Sequence, residues 1–217
     1  MSRYVIGDIH ACMDDLMEML RVINFSDADE LYMVGDYIDR GEQNAEIMRW
    51  LEKIPANVHP VRGNHDENYA AYIDIMQRVS EIKGGIFNPS SYHDSLTLYI
   101  ETMDELMASD PFSARYFDMY GTIRKLLKQD KVTFMEMKRW AYMFRSFPIF
   151  IMISDLKRPV VVVHAGYSPK ITDETEKLEF FFGSEETGIY SRRYPGRYGN
   201  SRSYSDNSRG HQCIYRW

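Results

Sequence analysis

The chain has few of the features that mark secreted or membrane proteins. Its 217 residues include only two cysteines, Cys12 and Cys213, which form neither a disulfide framework nor a thiolate metal site. The longest apolar run, Ile149 to Ile153, is far too short to span a bilayer, and nothing at the start reads as a signal peptide. We therefore expect a reduced, cytoplasmic protein with no membrane partner.

Positive charge is also scarce over most of the sequence. Lys and Arg total 26 against 32 Asp and Glu, which gives a formal net charge of −6. A chain with this balance repels nucleic acid and anionic lipid, so neither is an expected partner. With 44% hydrophobic residues, the chain can bury one substantial core, and a single α/β domain is the default expectation.

Four short polar turns each follow a strand-like apolar run. They are GDIH at 7–10, GDYIDRG at 35–41, GNHD at 63–66 and HAG at 164–166. The carboxyl ends of neighbouring strands meet at one rim of an α/β sheet, so these turns can converge there. Asp8 and His10 flank Ile9, and strand alternation predicts that both point to one face. Mixed Asp, His and Asn ligands favour Mn, Fe or Zn.

Hydrophobic periodicity predicts a βαβαβ beginning. The expected strands cover 4–6, 31–34 and 58–61, and the expected helices cover 14–23 and 44–54. Parallel pairing with right-handed crossovers follows from this order. Two further strands are expected at 148–154 and 159–163, the second of which ends at His164.

The stretch between the third and fourth polar turns is mainly helical in pattern. Helices are predicted at about 67–83, 102–109, 114–129 and 133–145. Two interpretations remain open for this insertion of about 67–145. Its helices either pack against the sheet with Met, Tyr and Phe as core residues, or form a cap over a substrate cleft. In the second case, Tyr69, Tyr72 and Tyr92 are candidate wall residues.

The polar turns, read as GDIHA, GDYIDRG, GNHD and HAG, resemble the catalytic motifs of PPP-type phosphoprotein phosphatases. These belong to the calcineurin-like metallophosphoesterases. The chain is similar in compactness to bacterial and lambda phage serine/threonine protein phosphatases and to symmetrical diadenosine tetraphosphate hydrolases. The resemblance implies an α/β fold, a mixed β-sheet sandwich flanked by helices, over residues 1–192.

The resemblance also implies two divalent metal ions, Mn²⁺ foremost, with Fe or Zn as alternatives. Asp8 and His10 would hold the first ion and Asp36 would bridge both. Asn64 and His164 would hold the second. The implied reaction is a single-step hydrolysis of a phosphoric monoester by a hydroxide that the dinuclear centre activates.

Further roles follow from the same resemblance. His65 matches the proton donor to the leaving oxygen, and Asp39 would fix the tautomer of its ring. Arg40 matches a phosphate clamp, and Arg192 in the stretch 189–192 is the candidate for a second clamping arginine. Ala11 and Asp66 replace the usual Gly and Glu, and both changes are expected only to adjust the turns.

The last segment departs from the family pattern. Residues 193–217 contain no strand-like apolar run, and 192–217 holds six basic residues and one acidic residue. The resemblance implies one more metal ligand, a histidine near this end of the chain, and His211 is the only candidate for it. The segment is interpreted as a basic tail that contacts the acidic body, a disordered extension, or a truncated or frame-shifted end.

These observations lead to one main hypothesis and two alternatives. The main hypothesis is a serine/threonine protein phosphatase whose partner is a phosphoprotein or phosphopeptide substrate. A symmetrical dinucleoside tetraphosphate hydrolase would use the same metals with a different cleft wall. A phosphate-binding pseudoenzyme is the third hypothesis. Nothing in the sequence indicates an oligomeric state.

Overall fold

The computed structural model describes residues 1–109, 114–165 and 214–216. Six strands and six helices lie within these ranges. In chain order they are β1 (Arg3–Ile6), α1 (Met13–Val22), β2 (Glu30–Met33), α2 (Asn44–Leu51), β3 (Val58–Pro60), α3 (Asn64–Ile82), α4 (Tyr92–Ser109), α5 (Ala114–Lys128), α6 (Phe134–Ser146), β4 (Phe150–Ile153), β5 (Val160–Val163) and β6 (Ile214–Arg216). The expected βαβαβ beginning is confirmed, and α4 starts ten residues earlier than expected.

The strands form two sheets. The larger has the order β3-β2-β1-β6, in which β1, β2 and β3 run parallel and β6 runs antiparallel to β1. The smaller is the antiparallel pair β4-β5. Strand β6 was not expected, because its three residues lie in a segment without an apolar run. Its register sets Ile214 opposite Ile6, at the carboxyl end of β1.

The larger sheet is covered on both faces. Tyr4, Ile6, Leu31 and Met33 alternate with their neighbours and lie in the main core with residues of the helices. On the other face, Tyr32 and Val5 pack with Ile153 and Val162 of the smaller sheet. Parallel strands buried on both faces carry apolar side chains at successive positions, as β2 does. The expected fold class, a mixed β-sandwich flanked by helices, is confirmed.

The helices of the insertion pack on one another around α3, which contacts α4, α5 and α6. Tyr69 and Tyr72 of α3 are fully buried, and their hydroxyls donate to the Met137 carbonyl and the Met103 sulfur, each at 3.2 Å. They are core residues, so the structure agrees with the packing interpretation for these two positions and not with the cleft-wall alternative. Tyr92 is half-buried, and the Lys131 ammonium lies over its ring at 4.9 Å from the centroid.

None of the helices in the described ranges combines the length and the apolar content that a bilayer crossing requires. The parallel order of β1, β2 and β3 brings their carboxyl ends to one rim of the sheet. Helix α3 begins at the same rim, directly after β3. The rim is therefore where the polar turns can meet.

Candidate metal centre

Backbone hydrogen bonds join the first two polar turns. The N–H groups of Ile9 and His10 donate to the Asp36 carbonyl at 3.1 and 2.8 Å, and that of Ala11 donates to Tyr37 at 2.7 Å. In these turns His10, Ala11, Asp36, Asp39 and Arg40 all have positive φ, between 43° and 74°. Left-handed backbone costs a non-glycine residue of order 1 kcal/mol and clusters at functional sites.

Asp8 and His10 do converge, but not for the expected reason. Strand β1 ends at Ile6, so strand alternation does not direct these side chains. Instead, the left-handed turn at His10 places its Nε2 atom 4.0 Å from Asp8 Oδ2 and 3.8 Å from Asp36 Oδ2. On the other side of the ring, His10 Nδ1 lies 3.0 Å from the Ile38 carbonyl oxygen, and this contact holds the ring in place.

The position of the His10 ring suits a metal ligand. With its proton on Nδ1, the ring would donate to the Ile38 carbonyl and present a lone pair on Nε2. That Nε2 atom is buried and has no hydrogen-bond partner in the described part of the chain. A buried acceptor that faces two carboxylates is costly unless a cation or water lies between them. This observation fits a divalent ion beside His10.

His164, Asn64 and Asp36 form a second group at the same rim. His164 Nε2 lies 2.8 Å from Asn64 Oδ1 and 3.4 Å from Asp36 Oδ2, while its Nδ1 lies 2.8 Å from the Val34 carbonyl. Asp36, which is 3% exposed, therefore contacts both groups. Asp8, Asp36 and His164 offer ligand atoms within 4.8 Å of one another, as do His10, Asp36 and His65. The fold thus brings all five candidate ligands of the described ranges together.

His65 and Asp39 form a hydrogen-bonded pair beside this cluster. His65 Nδ1 lies 2.9 Å from Asp39 Oδ2, and its Nε2 lies 3.9 Å from Asp36 Oδ2. The guanidinium of Arg40, an exposed residue, approaches the same Nε2 at 3.3 Å. The three residues expected to act on the leaving group and on phosphate therefore lie together.

The two partners of this pair have shifted pKa values. Burial would raise the pKa of Asp39, but hydrogen bonds from His65 and Thr122 outweigh burial and lower it to about 2. Burial lowers the pKa of His65, whereas the Asp39 hydrogen bond and the charges of Asp36 and Asp39 raise it above its ordinary value. Cations held by Asp36 would oppose this rise, because they offset its negative charge.

Asp66 has a larger part than the expected adjustment of a turn. It is fully buried, and its carboxylate accepts the backbone N–H groups of Asp36 and Tyr37 at 3.0 Å and of Gly63 at 2.8 Å. Burial and the nearby charge of Asp36 raise its pKa above the ordinary value, while the three N–H donors favour the charged carboxylate and oppose this rise. An acidic residue at the third position of α3 is a helix-capping signal that could have revealed this role.

Two further residues that sequence reasoning missed hold Asp39. Asn44 Oδ1 accepts the Asp39 N–H at 2.9 Å, and Asn44 Nδ2 donates to the Gly41 carbonyl at 3.0 Å. The Thr122 hydroxyl of α5 donates to Asp39 Oδ1 at 2.6 Å. Asn44 follows the GDYIDRG turn, and the preference of Asn for turns could have indicated its role from the sequence. Thr122 lies 83 residues from Asp39, and no sequence pattern near either residue indicates their contact.

Two glycines allow the β2 and β3 turns to touch. A Cβ on Gly63 would lie 2.3 Å from the Asp36 backbone nitrogen, and one on Gly35 would lie 2.4 Å from the Gly63 nitrogen. Gly35 also has φ +98°, which residues with side chains rarely adopt. The absence of a side chain at both positions is what places Asn64 and His65 against Asp36.

Arg192, His211 and Gly166 lie outside the described residues. Their assignments stay as the resemblance gives them. The remaining expected residues, from Asp8 to His164, all lie at the rim.

A comparison with protein families agrees with this geometry. The model of the calcineurin-like phosphoesterases matches residues 1–200 of the chain. The chain belongs to this family. Members of the metallophosphoesterase family use dinuclear divalent metals, which is consistent with the expected pair of cations.

Curated relatives resemble part of the chain. It is 43% identical over 72 residues to a symmetrical bis(5'-nucleosyl)-tetraphosphatase of Buchnera aphidicola subsp. Baizongia pistaciae, a match that covers 33% of the chain and 26% of that protein. It is 40% identical over 108 residues to the protein of the same name from Hamiltonella defensa subsp. Acyrthosiphon pisum, covering 49% of the chain and 36% of that protein. The chain thus spans about a third of the length of such relatives.

These relatives correct one expectation. A phosphoprotein or phosphopeptide partner was predicted, whereas the relatives are named for the hydrolysis of dinucleoside tetraphosphates, which are small nucleotides. The error arose because the resemblance was based on the four polar turns, and the two substrate classes would use the same metal ligands and phosphate contacts.

Proposed function

We propose that this chain is a metal-dependent phosphohydrolase that cleaves a phosphoanhydride bond of a dinucleoside tetraphosphate. The main support for a hydrolase is the buried Nε2 of His10, which has no hydrogen-bond partner among the described residues and faces the carboxylates of Asp8 and Asp36. The names of the relatives support the substrate class. Asp8 and His10 would hold one cation, Asn64 and His164 the other, and Asp36 both.

When bound, the cations would act as Lewis acids on a phosphoryl oxygen and lower the pKa of the attacking water. The chain itself positions the phosphate and handles the leaving group. Arg40 presents an exposed planar guanidinium next to His65, which suits two oxygens of one phosphate. His65 would give its Nε2 proton to the departing oxygen, while Asp39 on Nδ1 stabilises the charged ring.

The proposal extends to the end of the chain. Residues 1–192 would form the catalytic domain, with the helical insertion within it and 193–217 as a distinct segment. Strand β6 pairs antiparallel with β1 and sets Ile214 opposite Ile6, at the end of β1 that leads to Asp8. This register supports His211 as the last metal ligand, and Arg192 is proposed as the second arginine that binds phosphate.

A substrate comparison tests the proposed function. The full chain, loaded with Mn²⁺, is assayed on diadenosine tetraphosphate and, in parallel, on a phosphoserine peptide. We expect turnover of the nucleotide with ADP as the single product, since attack of one water on the central anhydride divides the molecule into equal halves. Preferential turnover of the peptide, or formation of ATP and AMP, would contradict the proposed substrate class or cleavage position.

A further inference from the structure

Helix α5 of the insertion contacts the turn that carries Asp39 at two points. The Thr122 hydroxyl donates to Asp39 Oδ1 at 2.6 Å. One turn further along the same helix, the Lys125 ammonium lies 3.4 Å from the Gly41 carbonyl and 2.7 Å from a Glu42 carboxylate oxygen. The helix therefore contacts the turn on both sides of Arg40.

The contact from Thr122 completes the hydrogen bonding of the Asp39 carboxylate. Its Oδ2 atom is bound to His65 Nδ1 at 2.9 Å, and its Oδ1 atom is bound to Thr122. Asp39 and Thr122 are 9% and 3% exposed, so water has little access to replace either contact. With both oxygens engaged, the plane of the carboxylate is fixed, and so is the oxygen that faces the His65 ring.

The backbone alone does not secure this arrangement. Asp39 and Arg40 have φ values of 74° and 65°, a left-handed conformation that is unfavourable for residues with a side chain. Such a turn persists only when surrounding contacts hold it. Asn44 holds it through the backbone N–H of Asp39, and Thr122 holds it through the side chain.

We propose that Thr122 is a positioning residue for catalysis, which holds Asp39 so that His65 keeps its proton on Nδ1 and directs Nε2 at the substrate. The proposal rests on the proposed function of His65 as proton donor. It gives the helical insertion a part in the reaction that goes beyond packing. Loss of the Thr122 hydroxyl would remove one of the three donors to the buried Asp39 carboxylate, which are Thr122, His65 and the Arg40 backbone N–H, and would loosen the orientation of the carboxylate.

The test compares Thr122→Val, which removes the hydroxyl at nearly constant shape, with Thr122→Ser, which keeps it. Thr102→Val is the matched control, because Thr102 is also fully buried in the insertion and, among the described residues, its hydroxyl bonds to the Leu98 carbonyl of its own helix and not to the site. Phenyl phosphate and p-nitrophenyl phosphate are the substrates. The second leaving group departs without much help from a proton donor.

We expect Thr122→Val to lower kcat on phenyl phosphate about tenfold and on p-nitrophenyl phosphate by less than about twofold, with bound metal unchanged. Thr122→Ser and Thr102→Val should behave as wild type. Equal losses on both substrates, or loss of metal in Thr122→Val, would show a merely structural role and overturn the proposal.

A second measurement needs no turnover. The ¹⁵N shifts of the neutral His65 ring, recorded in metal-free protein at about pH 9, report which nitrogen carries the proton. Wild type and Thr122→Ser should show the Nδ1–H form, and Thr122→Val a mixture of both tautomers. An unchanged tautomer in Thr122→Val overturns the proposal, whereas absence of wild-type turnover with this shift would overturn only the proposed function.

Discussion

The carboxylate of Asp66 accepts the backbone N–H of Asp36 at 3.0 Å from within the core, so a buried acid holds the backbone of the residue that contacts both candidate metal groups. The same carboxylate binds Gly63 at the start of α3. The β2 and β3 turns are therefore joined through one side chain. Their relative position depends on three backbone donors that meet at Asp66.

Asp66→Asn should weaken both the fold and the metal site. The amide offers one acceptor oxygen where three N–H groups converge, and its NH₂ group would face a donor. We expect a loss of about 3 kcal/mol in the free energy of unfolding, by the usual cost of an unsatisfied buried group. Denaturant unfolding and Mn²⁺ titration calorimetry would measure the two effects.

Asp94→Asn provides the comparison for Asp66. Asp94 also accepts a backbone N–H, that of Asn88 at 3.0 Å, but in a solvent-accessible position. Its substitution should cost no more than about 1 kcal/mol and leave metal binding unchanged. Equal effects of the two substitutions would show that Asp66 does not organise the site.

Gly63→Ala should separate the β2 and β3 turns by a steric clash rather than by a change of charge. The new methyl group would lie 2.3 Å from both the backbone nitrogen and Oδ1 of Asp36, so the turns must separate. We expect greatly reduced stability and loss of Mn²⁺ binding, measured by thermal unfolding and by metal content after gel filtration.

Gly121→Ala is the control for this substitution. Gly121 lies in α5 with nothing within 4 Å of an added Cβ. Replacing a glycine inside a helix by alanine raises stability by about 0.5–1 kcal/mol, and metal binding should not change. If Gly63→Ala also folded normally and bound metal, the close approach of the two turns would not matter for the site.

The low pKa of Asp39 predicts a dependence of stability on pH. A carboxyl whose pKa falls from 3.8 in the unfolded chain to about 2 in the fold contributes stability above pH 3.8 that is lost on acidification. The full contribution is about 2 kcal/mol, of which about 1 kcal/mol is lost between pH 5 and pH 3.

Urea unfolding of wild type and Asp39→Asn at these two pH values isolates that contribution. Other carboxyls titrate equally in both proteins, and His65 stays charged in this range. The stability advantage of wild type should therefore shrink by about 1 kcal/mol at the lower pH. A constant or growing advantage would contradict the assigned hydrogen bonds of Asp39.

His65→Asn and Asp36→Asn should separate the proposed proton donor from the proposed metal bridge. Removal of His65 should lower turnover of phenyl phosphate, whose leaving group needs a proton, by about 10²–10⁴-fold and leave the metal content at the wild-type value. Asp36→Asn should reduce both turnover and metal content. Full activity of His65→Asn on an alkyl phosphate, whose leaving group needs a proton, would show that the proton donor is another residue.

The sequence predicted the fold class and the meeting of the polar turns because both follow from local patterns. The turns at Asp8, Asp36 and Asn64 each close an apolar strand, and parallel order then places them at one rim. The directions of the side chains were harder to predict. From the sequence, strand alternation was expected to direct Asp8 and His10 to one face, whereas in the structure His10 reaches Asp36 through a left-handed turn.

The supporting contacts could be predicted only in part. Asp66 and Asn44 lie within a few residues of the motifs, and helix-capping and turn rules apply to both. Thr122 reaches Asp39 only through the packing of α5, which no periodic pattern specifies. The sequence did not decide whether Tyr69 and Tyr72 lie in the core or line a cleft, since a buried tyrosine and a substrate-facing tyrosine occupy the same positions in a helical pattern.

The proposed chemistry depends on two divalent cations at the rim between Asp8 and His164. Anomalous diffraction from crystals grown with Mn²⁺ would locate them. We expect two peaks roughly 4 Å apart, one beside His10 and one beside Asn64 and His164, with Asp36 next to both. A map without manganese at this rim, or with its peaks on another part of the molecule, would contradict this expectation.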